Sequence, residues 1–353
     1  PDIHGEADLV EEVARVASLT KLEAKPMARP APGVLRPVLT PAQRTAATAR
    51  RALAARGLHE CVSYSFVSEA EAALFGGGAP EMRLENPIAS DKSDMRPSPL
   101  PGLLAAAAAN QARGAGDVAL FEVGPEFFGP EPGEQREVAA SLRAGSAAPR
   151  EWSGARRPVD LYDAKADAEA LLAMLGRPVD ALQVDRETPS WLHPGRSARL
   201  KLGPKEVLAV FGELHPRVLK ALKVKGPAVA AVVYLEAGPA QKKAKGTARP
   251  ALVLSDLQAV ERDFAFVVDA RTEAAALLRA ARGADKALIT TARLFDVFDG
   301  PKAEAQFGDG KKSLALSITL QPTDRTLTDA EIEAVCEKVV AAAAKAVGAE
   351  LRS

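Results

Sequence analysis

The 353-residue sequence predicts an α+β fold in two parts: a mostly antiparallel sheet flanked by helices, then a smaller ferredoxin-like βαββαβ unit. Three observations predict it. Between Thr40 and Ala237, helical and strand patterns follow one another at hairpin-scale spacing, with no regular βαβ rhythm. Residues 238–250, Gly-Pro-Ala-Gln-Lys-Lys-Ala-Lys-Gly-Thr-Ala-Arg-Pro, form a basic stretch without an apolar period and read as a linker. Residues 251–353 then parse in the order strand, helix, strand, strand, helix, strand.

The elements follow from local patterns. Leu9, Val10, Val13 and Val16 recur at helical spacing between Glu6 and Ala17. Pro26, Pro30, Pro32 and Pro37 make residues 26–39 an extended linker. Thr40-Pro41-Ala42-Gln43 is a capping box with proline at the first helical position, and the helix it starts runs to Arg56, where Gly57 stops it. Val62, Tyr64 and Phe66 alternate as one face of a half-buried strand. A helix is expected over Leu100–Arg113, a strand over Val118–Val123 and a helix over Ala164–Leu175. Strands follow at Ala198–Leu202, Val207–Phe211 and Val229–Leu235. In the last part, strands are expected at 264–268, 288–298, 314–320 and 349–351. A helix capped by Thr272 runs to Arg282, and another after Thr328-Asp329-Ala330-Glu331 runs to Gly348.

Bulk chemistry narrows the function. Forty-six Lys/Arg balance 46 Asp/Glu, and residues 251–353 hold 13 Lys/Arg against 16 Asp/Glu. A wide phosphate-tracking surface is therefore excluded, and any RNA contact must be local. Cys61 and Cys336 stand far apart and outside metal-type spacing, which points to a reduced, cytoplasmic setting. No apolar run is long enough for a membrane helix. The start, Pro1-Asp2-Ile3-His4, has neither an initiating Met nor a signal peptide's apolar core, so the chain reads as a piece of something longer.

Four segments could carry chemistry. Asp8, Glu11 and Glu12 share one helix face, and Asp2 can fold back toward it. Four hard oxygen donors suit Mg²⁺. Equally, acids in a first turn complement the helix dipole, and Arg15 can neutralise Glu11 and Glu12. Trp191-Leu192-His193-Pro194-Gly195-Arg196 is either a binding loop or a rigid turn with Trp191 in the core and Arg196 in an ion pair. His215, in Phe211-Gly212-Glu213-Leu214-His215-Pro216-Arg217, is a base or a structural residue; no nucleophile is placed beside it. Arg262, Phe264 and Phe266 share a strand face that either stacks RNA bases or packs into the core. Phosphate-loop and dinucleotide fingerprints are missing: Gly76-Gly77-Gly78 has no Lys-Ser/Thr after it.

Taken in order, these motifs resemble one family. Asp8-Leu9-Val10-Glu11-Glu12-Val13-Ala14-Arg15-Val16 is similar to the end of a winged-helix-like domain of the bacterial phenylalanyl-tRNA synthetase beta chain. Tyr64-Ser65-Phe66-Val67, Asn86-Pro87-Ile88, Met95-Arg96-Pro97-Ser98, Leu100-Pro101-Gly102-Leu103-Leu104, Tyr162-Asp163-Ala164-Lys165, the Trp191 run and Phe211–Pro216 resemble its synthetase-like domain. Val260-Glu261-Arg262-Asp263-Phe264, Gly310-Lys311-Lys312-Ser313-Leu314 and Arg325-Thr326-Leu327-Thr328-Asp329 resemble its anticodon-binding domain. The resemblance implies a remnant of the winged-helix-like domain at 1–29, an inactive class II synthetase-like domain at 30–240 and a ferredoxin-fold anticodon-binding domain at 251–353. It implies a heterotetramer with an alpha chain that carries catalysis with ATP and Mg²⁺, binding of tRNA(Phe), and no catalytic residue in this chain. It also implies a Mg²⁺ site at Asp2, Asp8, Glu11 and Glu12, shared with the alpha chain. The RNA-contacting residues stay open, with Arg262 and Phe264 as candidates. The rival expectations are a free-standing ligase or transferase using the loops at His193 and His215, and a small-molecule-sensing ferredoxin-like module.

Overall fold

The structure, a computed structural model, describes residues 3–27, 38–152, 154–238, 251 and 254–352. It divides into two compact units, Pro1–Lys243 and Ala244–Ser353.

In the first unit, helix α1 (Glu6–Ala17) is followed by α2 (Pro41–Ala55). The Thr40 hydroxyl accepts from Gln43 N and the Gln43 side chain accepts from Thr40 N, so the expected capping box sets the start of α2. Then come β1 (His59–Glu60), β2 (Phe66–Val67), α3 (Glu69–Leu74), β3 (Asp94–Met95), α4 (Leu100–Ala112), β4 (Val118–Phe127) and β5 (Gln135–Ala144). Helix α5 (Leu161–Met174), β6 (Gln183–Asp185), β7 (Leu192–Leu202), β8 (Glu206–Leu214), α6 (Pro216–Ala221) and β9 (Ala228–Tyr234) complete it. Seven strands make one sheet in the order β1-β4-β5-β9-β8-β7-β6. Only the β1–β4 pair is parallel among the described strands; the other ladders are antiparallel.

Both faces of this sheet are buried. On one, α2 and α5 lay Ala49, Leu53, Ala168, Leu171 and Leu172 against Phe121, Phe211, Val229, Ala231 and Val233. On the other, α4 and α6 lay Leu100, Leu103, Leu104 and Val218 against Leu142, Val210, Ala228, Ala230 and Val232. The alternation of β9 between these sets is the period of an extended strand buried on both sides. The expected strand at 61–67 is different: its middle pairs with no sheet, Val62 is 93% exposed, and Tyr64 also points outward. Ser63 between them is held inward, its hydroxyl donating to Glu122 Oε2 at 2.6 Å. Glu122 is paired in turn with Arg96 Nη1 at 2.6 Å, their side chains 5% and 3% exposed. Arg96 also donates to Ser63 Oγ and Pro125 O. Gly102 of α4 makes room for this group: a Cβ there would lie 2.2 Å from Ser63 Oγ.

The second unit contains β10 (Val260–Asp269), α7 (Ala274–Gly283), β11 (Ile289–Phe298), α8 (Pro301–Phe307), β12 (Lys311–Leu320), α9 (Asp329–Val347) and β13 (Glu350–Leu351). The sheet order β11-β12-β10-β13, with antiparallel ladders throughout, is the ferredoxin-like arrangement. Helices α7 and α9 cover one face with Leu277, Ala281, Ile332, Val335, Val339 and Ala343, against Phe264, Phe266, Val268, Leu314, Leu316, Ile318 and Leu320. Two local expectations are corrected. Glu273, not Thr272, occupies the cap position of α7, without a side-chain cap bond. Between the two strands expected to follow one another directly, β11 and β12, lies a further short helix, α8, started by Pro301. At the start of α9, Thr328 Oγ1 accepts from Glu331 N as the capping box requires, and Glu331 also takes both terminal nitrogens of Arg325.

Two outcomes are expected. Arg96→Met, which strands the Glu122 carboxylate in the interior, destabilises the chain by about 3–5 kcal/mol in urea denaturation. Arg156→Met, which opens the half-exposed pair with Asp117, costs less than about 1 kcal/mol. The Glu331 carboxyl is pushed down to about 2, by Arg325 first and then by Thr328. Its folded value lies below its ordinary one, so its contribution to stability is complete above about pH 4.5 and disappears as pH falls through about 2. Carboxyl NMR titration reads this directly, and Arg325→Ala should return the titration toward the ordinary range.

Candidate functional site

The two histidine loops come together. Leu192 pairs with Leu214 across β7 and β8, and residues between Leu192 and Ser197 bulge out of the ladder. The rings of His193 and His215 then stack with centroids 6.5 Å apart. Their polar atoms serve the loops themselves. His193 Nδ1 accepts from Gly195 N, and His215 Nδ1 accepts from Arg217 N at the start of α6. Arg196 pairs with Glu213 at 2.5 Å, and Arg217 donates to Ser190 O. Ser197 Oγ donates to His193 O at 2.6 Å, so its proton is not directed at an imidazole. Trp191 is buried against Phe75 with ring centroids 5.8 Å apart. Gly212 has φ +150°, and a Cβ on it would lie 2.4 Å from Ser197 Cβ; the glycine answers to close approach of β7. This is the rigid-turn reading of both motifs.

The acidic helix start forms as expected, but its oxygens are engaged locally. Asp8 Oδ2 accepts from His4 N and Gly5 N, each at 2.8 Å, which caps α1. Glu12 pairs with Arg15 at 2.5 Å. Glu11 is exposed on the same face, while Asp2 lies outside the described residues. Among the described residues no group of three His, Cys, Asp or Glu side chains converges as a metal site would. The donors are of the type a hard divalent ion takes, and such an ion would have to displace the Arg15 pairing to reach Glu12.

The second unit's sheet offers a different kind of surface. Helices α7 and α9 cover one of its faces, and on the other the short α8 covers only the end near Ser313 and Phe298. Arg262 and Phe264, the expected RNA candidates, lie on the covered side. Phe264 is 7% exposed and stacks on Phe266 at 5.9 Å, and Arg262 sits close enough to Cys336 of α9 to offset part of the upward push that burial gives that thiol. Phe264 is therefore core, because even-numbered residues of β10 face the helices. The open face is formed by their odd-numbered neighbours Glu261 and Asp263, by Ser317 and Thr319 of β12, and by Thr291, Arg293 and Phe295 of β11. These seven side chains line a shallow groove of about 350 Å³, with Phe295 half exposed within it. The face mixes one aromatic ring, one guanidinium, two carboxylates and three hydroxyls, a set that can stack on a planar base and bond to its edge. Thr291-Ala292-Arg293-Leu294-Phe295 carried the signal: polar and aromatic residues alternate there with core residues.

Comparison with known proteins agrees with both units. Residues 26–235 match the phenylalanyl tRNA synthetase beta chain CLM domain, and residues 255–352 match the ferredoxin-fold anticodon binding domain. Phenylalanine–tRNA ligase beta subunits are similar along the whole chain. That of Cereibacter sphaeroides is 61% identical over 352 residues, covering 100% of this chain and 43% of that protein. That of Ruegeria pomeroyi is 59% identical over 352 residues, with the same coverage. That of Paramagnetospirillum magneticum is 54% identical over 351 residues, 99% of this chain and 43% of that protein. The chain thus spans less than half the length of these relatives. Among solved structures, a pyrrolysyl-tRNA synthetase of Desulfitobacterium hafniense aligns at a TM-score of 0.43 and 14% identity, over 65% of this chain and 73% of that one. That likeness is too weak to bear on fold or function. The two domain matches in sequence order, with near-complete coverage by these relatives, establish that the chain belongs to the phenylalanyl-tRNA synthetase beta chain family.

Proposed function

We propose that this chain is a non-catalytic portion of a phenylalanine–tRNA ligase beta subunit. It assembles with an alpha chain in a cytoplasmic heterotetramer that charges tRNA(Phe) with ATP and Mg²⁺, and it binds the anticodon region of that tRNA. Residues 1–29 act as the end of a winged-helix-like domain, 30–240 as an inactive class II synthetase-like domain, and 251–353 as the anticodon-binding domain.

The observation that carries the RNA reading is the uncovered sheet face with Phe295, Arg293 and Thr291 beside Ser317 and Thr319. A ring presented on an open sheet suits stacking of an unpaired base, and the neighbouring carboxylates suit donors on base edges better than phosphates. The non-catalytic reading rests on the first unit. Helices occupy both faces of its sheet, and His193 and His215 each give Nδ1 to a backbone N–H of their own loop.

The Mg²⁺ site is assigned to Asp2, Asp8, Glu11 and Glu12, completed by the alpha chain. Its support is the helical spacing that sets Asp8, Glu11 and Glu12 on one face of α1 and the hard-oxygen character of the set. The ion would supply positive charge to join two acidic surfaces. Within this chain, Arg15 competes with it for Glu12.

Filter binding tests the RNA reading. Phe295→Ala weakens retention of tRNA(Phe) about tenfold or more, as loss of one base–aromatic stack implies. Arg262→Ala leaves retention unchanged. Equal retention of tRNA(Phe) and an anticodon-swapped tRNA would sink the assignment. For the metal, Glu11→Ala should abolish the Mg²⁺-dependent thermal stabilisation of the alpha–beta complex, and Arg15→Ala should lower the Mg²⁺ concentration it needs. A melting temperature indifferent to Mg²⁺ would leave Asp8 and Glu12 as cap and ion-pair residues only.

A further inference from the structure

A second charged cluster lies within the first unit, at the end of its sheet. Asp167 of α5 points at the sheet and its side chain is 1% exposed. Two guanidinium groups share it. Arg56, just after α2, donates from Nε to Oδ1 at 2.5 Å. Arg143 of β5 donates from Nε to Oδ2 at 2.6 Å and from Nη2 to Oδ1 at 3.0 Å. One carboxylate thus faces two cations. The Arg56 carbonyl, which accepts from Arg143 Nη2 at 3.1 Å, offsets part of the surplus with its dipole but carries no full charge. An unmatched charge at the edge of a low-dielectric interior is unfavourable unless an anion or solvent meets it.

Both arginines open onto one cavity of about 650 Å³ between the ends of α2 and α4. Its other polar lining includes His59, Asn110, Ser146 and Asp117. Asp117 does not cancel the surplus, because it has its own cation: Arg156 Nη2 lies 2.7 Å from Oδ2. Asp117 also accepts from Ser146 N, the largest of the influences that hold its carboxyl below the ordinary range. Asp163 of α5 also feels Arg143 but is paired with Arg157 at 2.6 Å, so the groups at the cavity are three arginines against two aspartates, around a space of the size small ligands occupy.

We infer that this cavity is an oxyanion site, with the Nη1–Nη2 edge of Arg56 as the receiving fork for a phosphate group, free or carried on a small molecule, and Nη1 of Arg143 as a further donor. Guanidinium forks bind tetrahedral oxyanions through paired, charge-assisted hydrogen bonds. A phosphate here would balance the cluster charge, and Arg56, about one-third exposed, is its more accessible member. Nothing in the anticodon or Mg²⁺ assignments uses these residues.

The test is calorimetric titration of the 353-residue chain with inorganic phosphate and with AMP, against potassium chloride at matched ionic strength. Binding of phosphate, and not of chloride, is expected. AMP binding more tightly than phosphate assigns the site to nucleotides, and equal affinities assign it to free phosphate. Arg56→Gln should lower either affinity about tenfold or more, as loss of one fork implies. The same variant leaves Asp167 matched to Arg143 alone, so its melting temperature without phosphate should equal or exceed that of the parent chain. That second reading separates ligand loss from misfolding. Arg50→Gln, in an exposed pair with Glu60 outside the cavity, should leave phosphate binding unchanged. No heat with either ligand, or an Arg56→Gln variant that binds phosphate as the parent does, overturns the inference.

Discussion

Burial of the seven-stranded sheet on both faces is the constraint on which the first unit depends. Every strand crossing its centre must feed two cores at once. Strand β9 does so with Val229, Ala231 and Val233 toward α2 and α5, and Ala228, Ala230 and Val232 toward α4 and α6. The alanines keep the layers close, because a larger side chain on either face would push a helix away from the sheet. A sheet enclosed in this way has no face left for a substrate. Its interior carboxylates are instead held by arginines: Glu122 by Arg96, and Asp167 by both Arg143 and Arg56, one cation more than that carboxylate balances.

The second unit obeys the opposite rule. Its four strands are covered fully on one side and only at one end, by α8, on the other, so the same alternation that builds a core also builds a surface. Leu316 and Ile318 face the helices while Ser317 and Thr319 between them face outward. The two halves of this chain thus divide labour by layering. The enclosed sheet is a scaffold, and the half-covered sheet is the surface on which recognition is proposed.

Much of this was legible in the residues. The capping boxes at Thr40 and Thr328 marked helix starts correctly because they depend on three or four adjacent residues. The βαββαβ order of the last hundred residues was legible because its apolar runs are well separated by turns. What failed was non-local. Val62 and Tyr64 alternate as a strand should, yet of this segment only His59 and Glu60 ahead of them pair with β4, and no sequence pattern marks where a partner strand ends. Arg262 and Phe264 were grouped correctly on one face, but periodicity cannot say which face the helices will cover. Strand β5 was missed because its alternation of small and charged residues, Ala139-Ala140-Ser141-Leu142-Arg143, has little apolar contrast until two cores surround it.

The ladder between β11 and β12 slips twice, between Ile289 and Thr291 and again between Leu294 and Asp296. At the second slip, Leu294 lies opposite Leu316 and Asp296 opposite Ala315, so Phe295 is an extra residue. Without the bulge, counting two residues per repeat would turn Asp296 into the core. With it, an aromatic ring is added to the outer face while every flanking residue keeps its partner. The ring is thus a matter of chain length as much as of side-chain identity. A lineage could gain or lose it by a single-codon insertion or deletion, leaving the hydrophobic register of the strand intact.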